Sequence, residues 1–323
     1  MTAILKRSRS RSRSSSPPQK RQKAVSKPVR FLILSDTHDC VLSSLPECDV
    51  VLHCGDLTED GSPASITAAL QMLGKVNAEL KLVIAGNHEI SLDKEYYLAE
   101  GGQPAKYEES RALVFGPDSE AKRNGVTYLD EGIRKFELRS GATFRIYTSQ
   151  WTPKYGSSAF QYPTSEDRFN STSPAWANNV ATEQSLIPND VDIIMTHGPP
   201  KYVLDDTGDG GSAGCEHLRR AIARVKPRIH CFGHVHRGYG AQRIRFDTSK
   251  KDGTDSIVPL SKEWVGKNQA KKKGYASLPP SSAEAFRTSQ QTLMINAAIE
   301  NEEEGNNMPW LVDLDLPLDS TRT

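Results

Sequence analysis

The sequence predicts an α/β fold, and two observations carry that prediction. First, five short apolar runs each stop at residue types that bind metal ions. Phe31 to Leu34 runs into Ser35-Asp36-Thr37-His38, Val50 to Leu52 into Gly55-Asp56, and Leu82 to Ile84 into Gly86-Asn87-His88-Glu89. Val191 to Met195 runs into His197-Gly198-Pro199, and Ile229 to Phe232 into Gly233-His234-Val235-His236. Second, stretches of helical spacing lie between such runs, as at Ile66, Leu70, Leu73 and Val76. Open α/β sheets bind ligands outside the carboxyl ends of their strands. Five strands ending this way would bring two Asp, one Asn and four His together, enough donors for two metal ions.

In chain order, residues 1–29 read as a disordered basic tail. Arg and Ser alternate from Arg7 to Ser14, and Lys20-Arg21-Gln22-Lys23 follows. Such a segment has too little apolar surface to offset the entropy of ordering. Its two basic clusters fit a nuclear-import signal or another acidic partner, and its Ser-Pro and Arg-Ser contexts fit phosphorylation. Order is expected from about Arg30, with a strand over 30–34. A helix is expected over 62–78, with Ser62 as cap and Pro63 in the first turn. A strand at 80–84 and a charged, Tyr-rich helix and loop at 91–110 come next. Residues 126–147 alternate like a β-meander turning at Arg139-Ser140-Gly141. Residues 150–190 read as a long loop, 215–225 as a helix, and 247–289 as a polar, partly disordered insertion containing Lys271-Lys272-Lys273. Strands near Leu293-Met294-Ile295 and Trp310-Leu311-Val312 close a domain running from 30 to 316, and 317–323 is a short tail.

Composition excludes some classes of function. The 323 residues are 37% hydrophobic and 25% charged, ordinary for a soluble globular protein. No apolar run approaches the ~18 residues of a membrane helix, and residues 1–7 lack the apolar core of a secretory signal. The five cysteines form no CxxC pair, which fits a reduced, cytoplasmic or nuclear setting. The net charge of +1 hides a division. Residues 1–30 hold ten of the 41 Lys and Arg and no acid, so the rest of the chain has 31 basic against 40 acidic residues. An acidic body of this kind does not favour nucleic acid, whose phosphates need clustered cations.

Singly the motifs are weak, and their order is what makes them specific. Asp-x-His, Gly-Asp, Gly-Asn-His-Glu, His-Gly-Pro and Gly-His-x-His follow five strands in turn. From Phe31 to about Gly240 this pattern resembles the calcineurin-like metallophosphoesterase superfamily. It is most similar to the metallophosphoesterase domain-containing group, through Trp151-Thr152-Pro153, Thr196-His197-Gly198-Pro199-Pro200, Gly214-Cys215 and Gly238-Tyr239-Gly240.

The resemblance implies a four-layer αββα sandwich with two mixed β-sheets and flanking helices. It implies two divalent metal ions (Mn, Fe, Zn or Mg, with Mn favoured). Asp36, His38 and His236 would hold one ion, Asn87, His197 and His234 the other, and Asp56 would bridge them. The implied reaction is attack of a metal-bound hydroxide on phosphorus. His88 would assist the leaving oxygen, Glu89 would orient His88, and Asn87 and His88 would bind the substrate phosphate. Protein phosphatases of the superfamily carry Gly-Asp followed by Asp-Arg-Gly. Here Gly55 to Gly61 reads Gly-Asp-Leu-Thr-Glu-Asp-Gly without arginine, which moves the expectation toward small phosphodiesters of cyclic-nucleotide or aryl type. The rivals are a nucleotide-binding regulatory scaffold with little turnover, and a phosphomonoesterase or nuclease of the same superfamily. His53, His217 and His230 are expected to be packing or surface residues. Trp151, Trp176 and Tyr155 are candidates for the wall of a nucleobase pocket.

Overall fold

The computed structural model describes residues 26–42, 45–247, 249–250, 256–301 and 305–318. Its elements are β1 (Ser26–Leu34), β2 (Val50–His53), α1 (Pro63–Gly74), β3 (Leu80–Val83), α2 (Lys94–Ala99), α3 (Pro104–Val114), α4 (Glu120–Arg123), β4 (Thr127–Tyr128), β5 (Gly132–Glu137) and β6 (Thr143–Ser149). Four two-residue strands follow: β7 (Thr152–Pro153), β8 (Gln161–Tyr162), β9 (Glu166–Asp167) and β10 (Asn178–Asn179). The remainder are β11 (Ile193–Thr196), α5 (Glu216–Val225), β12 (Ile229–Phe232), β13 (Gly240–Phe246), β14 (Ile257–Lys262), α6 (Lys267–Lys273), α7 (Pro280–Thr288), β15 (Thr292–Asn296) and β16 (Trp310–Pro317).

Two mixed sheets pack face to face. One has the order β16-β1-β2-β3-β4 and the other β14-β13-β15-β12-β11-β6-β5. The strands that end at the candidate ligands are parallel neighbours in each sheet, β1-β2-β3 in the first and β11-β12 in the second. Their runs are apolar on both faces because both faces are covered. In β1, Phe31 and Ile33 enter the core between the sheets, where they meet Phe144, Ile146 and Met195. The alternate residues Leu32 and Leu34 pack outward with Ile66, Leu70 and Leu73 of α1. On the opposite side, Ile194 and Phe232 pack with Leu218 and Ile222 of α5. Helix, sheet, sheet and helix therefore form the four layers expected.

Several expected boundaries move. Residues 26–29, expected in the tail, form the start of β1, and Ser26 pairs with Pro317 of β16, itself expected in a tail. The calls on the rest of the basic tail lie outside the described residues. The expected meander divides between sheets: β4 lies parallel to β3 in the first, while β5 and β6 form a hairpin in the second. The α1 helix ends at Gly74, with Ser62 capping it and accepting from the Ser65 amide. Within the insertion expected at 247–289, the described residues 256–289 form a strand and two helices. Strand β14 pairs antiparallel with β13, and Ile257, Ala270 and Phe286 are buried. A few apolar residues anchor a segment whose average polarity suggested otherwise.

Candidate metal centre

All seven expected ligands come together where five strands end. The ligating atoms of Asp36, His38 and His236 lie within 4.8 Å of one another, and so do those of Asp56, His197 and His234. Asn87 joins the second group, with its Oδ1 2.9 Å from His197 Nε2. Asp56 Oδ2 stands between the groups, 3.2 Å from His197 Nε2 and 3.8 Å from His38 Nε2.

The backbone is bent to make this arrangement. Asp36, His38, Asp56 and His234 have φ of 51°, 41°, 50° and 67°, a region costly for residues with a Cβ. The turns hold one another: Asp36 N–H donates to the Gly55 carbonyl at 2.9 Å, and Thr37 N–H to the Asp56 carbonyl at 2.8 Å. The His234 amide donates to both oxygens of Asp36, at 2.9 and 3.0 Å. Glycine is needed beside these turns. Gly55 has φ +101°, and a Cβ at Gly233 would overlap the Asp36 carboxylate and the Ser35 hydroxyl.

The donor set fits divalent ions on the observations here. His38 Nδ1 is 2.9 Å from Glu59 Oε2, and its Nε2 is buried with no hydrogen-bond partner. His197 Nδ1 donates to the Cys54 carbonyl at 2.9 Å, which turns its Nε2 toward the oxygens of Asn87 and Asp56. A buried ring nitrogen without a partner, beside a group of carboxylate and amide oxygens, suits a bound cation. The ionisation equilibria respond to the same crowding. Burial alone would depress His197, but the Asp56 charge and hydrogen bond lift it to about 9. Burial, then the His197 charge, push His234 down to about 4. Burial opposes ionisation of Asp36 and Asp56, yet the neighbouring histidines hold both carboxyls below the ordinary range.

His88 stands at the rim, its side chain partly exposed. Its Nδ1 donates to the Glu59 carbonyl at 2.7 Å, and its amide donates to Asp56 Oδ1 at 2.8 Å. Burial works against its charge, but Asp56 and the Glu59 carbonyl outweigh burial and raise its pKa. The expected partnership with Glu89 is corrected here. The Glu89 carboxylate is buried and accepts from the amides of Gly86, Asp56 and Thr58 at 2.6, 3.0 and 3.0 Å and from the Thr58 hydroxyl at 2.9 Å. It pins the turn that carries Asp56, and Glu59 is the residue that fixes the His88 ring. Burial and the Asp56 charge push Glu89 up to about 7, while its hydrogen bonds pull the other way.

Two residues missed from the sequence complete the rim. Glu59 holds His38, and Glu300 Oε2 lies 3.4 Å from His38 Nε2 and 3.5 Å from His236 Nδ1. Of the three aromatic candidates, Tyr155 lines the cleft in front of the centre. Trp151 packs edge-on against Phe160, and Trp176 stacks on His217. His53 and His230 are buried, bonded to the hydroxyls of Thr37 and Thr196 at 3.0 and 2.8 Å. No helix among the described residues is long and apolar enough to cross a membrane.

Comparison with known proteins points the same way as the geometry. The profile of the calcineurin-like phosphoesterase family matches residues 29–238. Metallophosphoesterase domain-containing protein 1 of Homo sapiens and that of Mus musculus are each 33% identical over 252 residues, covering 72% of this chain and 66% of theirs. A probable rhamnogalacturonate lyase C of Emericella nidulans is 32% identical over 246 residues, covering 76% of this chain and 20% of that protein. The chain thus spans a fifth of the lyase's length and just under two thirds of the other two. Among solved structures, a purple acid phosphatase from yellow lupin seeds aligns with 92% of this chain and 47% of its own, at 15% identity and a TM-score of 0.41.

Proposed function

Because the chain belongs to the calcineurin-like phosphoesterase family, we propose that it is a phosphodiesterase acting on small phosphodiesters of cyclic-nucleotide or aryl type. Membership itself carries metal-dependent hydrolysis of phosphoesters; the diester preference is the proposal. We assign Asp36, His38 and His236 to one ion, Asn87, His197 and His234 to a second, and Asp56 to both. Nitrogen and oxygen donors without thiolate suit manganese, the favoured ion, as well as iron and zinc. Divalent ions held there would neutralise charge on the phosphoryl oxygens and acidify water at neutral pH.

The chain's own residues do the rest. His88 donates through Nδ1 to the Glu59 carbonyl, which leaves Nε2 for the cleft that His88 lines. Burial works against its charged form, but Asp56 and the Glu59 carbonyl favour it, which suits donation of a proton to the departing oxygen. Glu89, bonded to three amides, keeps Asp56 in place.

The observation that carries the diester preference is the pair of rim carboxylates, Glu59 and Glu300, against His38. A phosphomonoester carries roughly −1.5 to −2 charge at pH 7, whereas a diester carries a single one. Like charge at the rim disfavours the more highly charged ester. Glu59-Asp60 also stands where phosphoprotein phosphatases carry Asp-Arg, so no guanidinium from that turn offsets the repulsion. The test compares bis(4-nitrophenyl) phosphate with 4-nitrophenyl phosphate, with Mn²⁺ and with chelator. Chelator-sensitive turnover that is faster on the diester is expected. Monoester preference, or no turnover of either with metal, contradicts the proposal.

A further inference from the structure

The aromatic residues around the metal groups differ in what their rings touch. Trp151, edge-on to Phe160, also has the Arg168 guanidinium 4.7 Å from its ring. Tyr239 donates its hydroxyl to the Met308 carbonyl at 2.6 Å and lies beside Trp310. Tyr155 lines the same cleft as Asp56, Asn87 and His88 but is 77% exposed. Its side chain makes no hydrogen bond or ring contact among the described residues, since its one hydrogen bond is through the main chain. Apolar residues scattered singly over a surface are ordinary, so exposure by itself decides nothing. What sets Tyr155 apart is how the backbone beneath it is held.

Tyr155 lies on the turn between β7 and β8, and that turn is tied to the strand-end region. The Ser158 hydroxyl donates to the Asn87 carbonyl at 3.0 Å, and the Phe160 amide donates to Asp93 Oδ2 at 2.7 Å. Ala159 and Phe160 are buried with Ala85, just after β3. The Lys154 amide donates to the Tyr162 carbonyl at 2.8 Å, and Gln161 Nε2 donates to the carbonyl of Tyr155 itself at 2.9 Å. An extended chain spans at most ~3.3–3.6 Å per residue, so the Tyr155 backbone lies within ~11 Å of that of Ser158, which touches Asn87. Gly156 takes φ +68°, and a Cβ there would meet nothing within 4 Å, so this side of the turn is open. The main chain is fixed while the ring faces the cleft without a partner.

We propose that Tyr155 is a specificity-determining residue: a planar aromatic group of the phosphodiester, a nucleobase or an aryl ring, stacks on it while the ester lies at the metal residues. The inference rests on the phosphodiester reading above and names the residue that would recognise the ring. Tyrosine suits the task, because it offers a large, rigid face with only two side-chain torsions to fix. Stacking also tolerates different rings, since each presents a π face. The cleft encloses about 970 Å³, at the upper end of the range for small-ligand pockets, which leaves space for a ring as well as an ester.

Binding tests this without turnover. The full chain with Mn²⁺ is titrated calorimetrically with adenosine 5′-monophosphate against ribose 5-phosphate, and with phenyl phosphate against methyl phosphate. Within each pair the phosphate is kept and the ring removed. The ring should tighten binding by about tenfold in at least one pair, within the range for base–aromatic stacking. Tyr155→Ala should bring that ratio near one, and Tyr155→Leu should recover little of it. Tyr155→Phe should retain it, which separates the ring from the hydroxyl and from any loss of structure. A gain confined to the nucleotide pair assigns the stacked group to a nucleobase, and a gain that includes the phenyl pair assigns it to aryl rings. A ratio near one in the parent protein, a ratio that Tyr155→Ala does not move, or equal losses in Tyr155→Ala and Tyr155→Phe overturn the assignment. A ring preference that depends on Tyr155, without metal-dependent turnover of bis(4-nitrophenyl) phosphate, would instead contradict the hydrolytic reading. Turnover with no ring preference would contradict the role of Tyr155 alone.

Discussion

At the strand ends, four of the seven candidate ligands sit at positive φ, and both Asp36 oxygens, His38 Nδ1 and His197 Nδ1 are engaged by neighbours. Along the same cleft, the inserted segment from Ile257 to Lys273 is an outer strand followed by a two-turn helix, with Lys262, Lys267 and Lys271 at the surface. The first region spends stability, about 1–3 kcal/mol for each strained non-glycine residue, to fix atoms relative to one another. The second is held by pairing with β13 and carries none of the candidate ligands. Chemistry that depends on geometry belongs to the first. Changes at the strand ends should therefore alter turnover or metal content more than changes in the inserted segment.

The largest expected effect is at Asp56, the residue between the two groups. Asp56→Asn should bring hydrolysis of bis(4-nitrophenyl) phosphate to background and reduce bound metal in elemental analysis. Retained turnover would break the comparison at its centre. His88→Ala should lower kcat by about 10²–10⁴-fold with metal content unchanged. Loss of metal in that variant would show His88 to be a ligand and not a proton donor.

A smaller effect is expected at Glu59, which touches a ligand and not the ions' own positions. Glu59→Gln should weaken metal affinity by about 10–100-fold, measured by competition with a chromophoric chelator. It should also narrow the preference for diester over monoester, because one rim charge is gone. Unchanged affinity would mean that His38 needs no outer partner.

The smallest effect concerns stability and pH. His230 is buried against Thr196, and burial pushes its pKa down to about 3. In the unfolded chain a histidine titrates near ~6.5. Between those values the unfolded state takes up a proton that the folded state refuses. Stability is therefore complete above about pH 6.5 and falls as pH drops toward 3, by up to about 1.4 kcal/mol per unit. His53, pushed down to about 4 mainly by burial, adds a limb of the same sign. Urea unfolding at pH 7, 6 and 5 should show a shallower acid decline in His230→Gln than in the parent protein. Parallel declines would contradict the assignment.

The strand-end region was readable in the sequence because its constraints are local. Strands buried on both faces are mainly apolar, and each run ends within a few residues of its ligand. Glu59 and Glu300 were not readable. Each sits in a polar stretch without periodicity, and Glu300 reaches His38 from 262 positions along the chain. Glu89 was misread because adjacency in sequence was taken as adjacency in space. Past β3 the chain turns so that His88 faces the cleft and Glu89 goes into the Gly55–Thr58 turn. The strand and helices within the insertion were not legible from its average polarity. Its order comes from pairing with β13 and from burial of Phe286, which 1% exposure places fully in the core.

The account depends most directly on two ions being held at the strand ends and needed for hydrolysis. Elemental analysis of the purified full chain, followed by turnover of bis(4-nitrophenyl) phosphate before and after chelation, tests both points together. About two equivalents of divalent metal per chain, with activity lost on chelation and restored by Mn²⁺, is the predicted result. A chain that turns over the diester equally well after complete removal of metal would contradict the account.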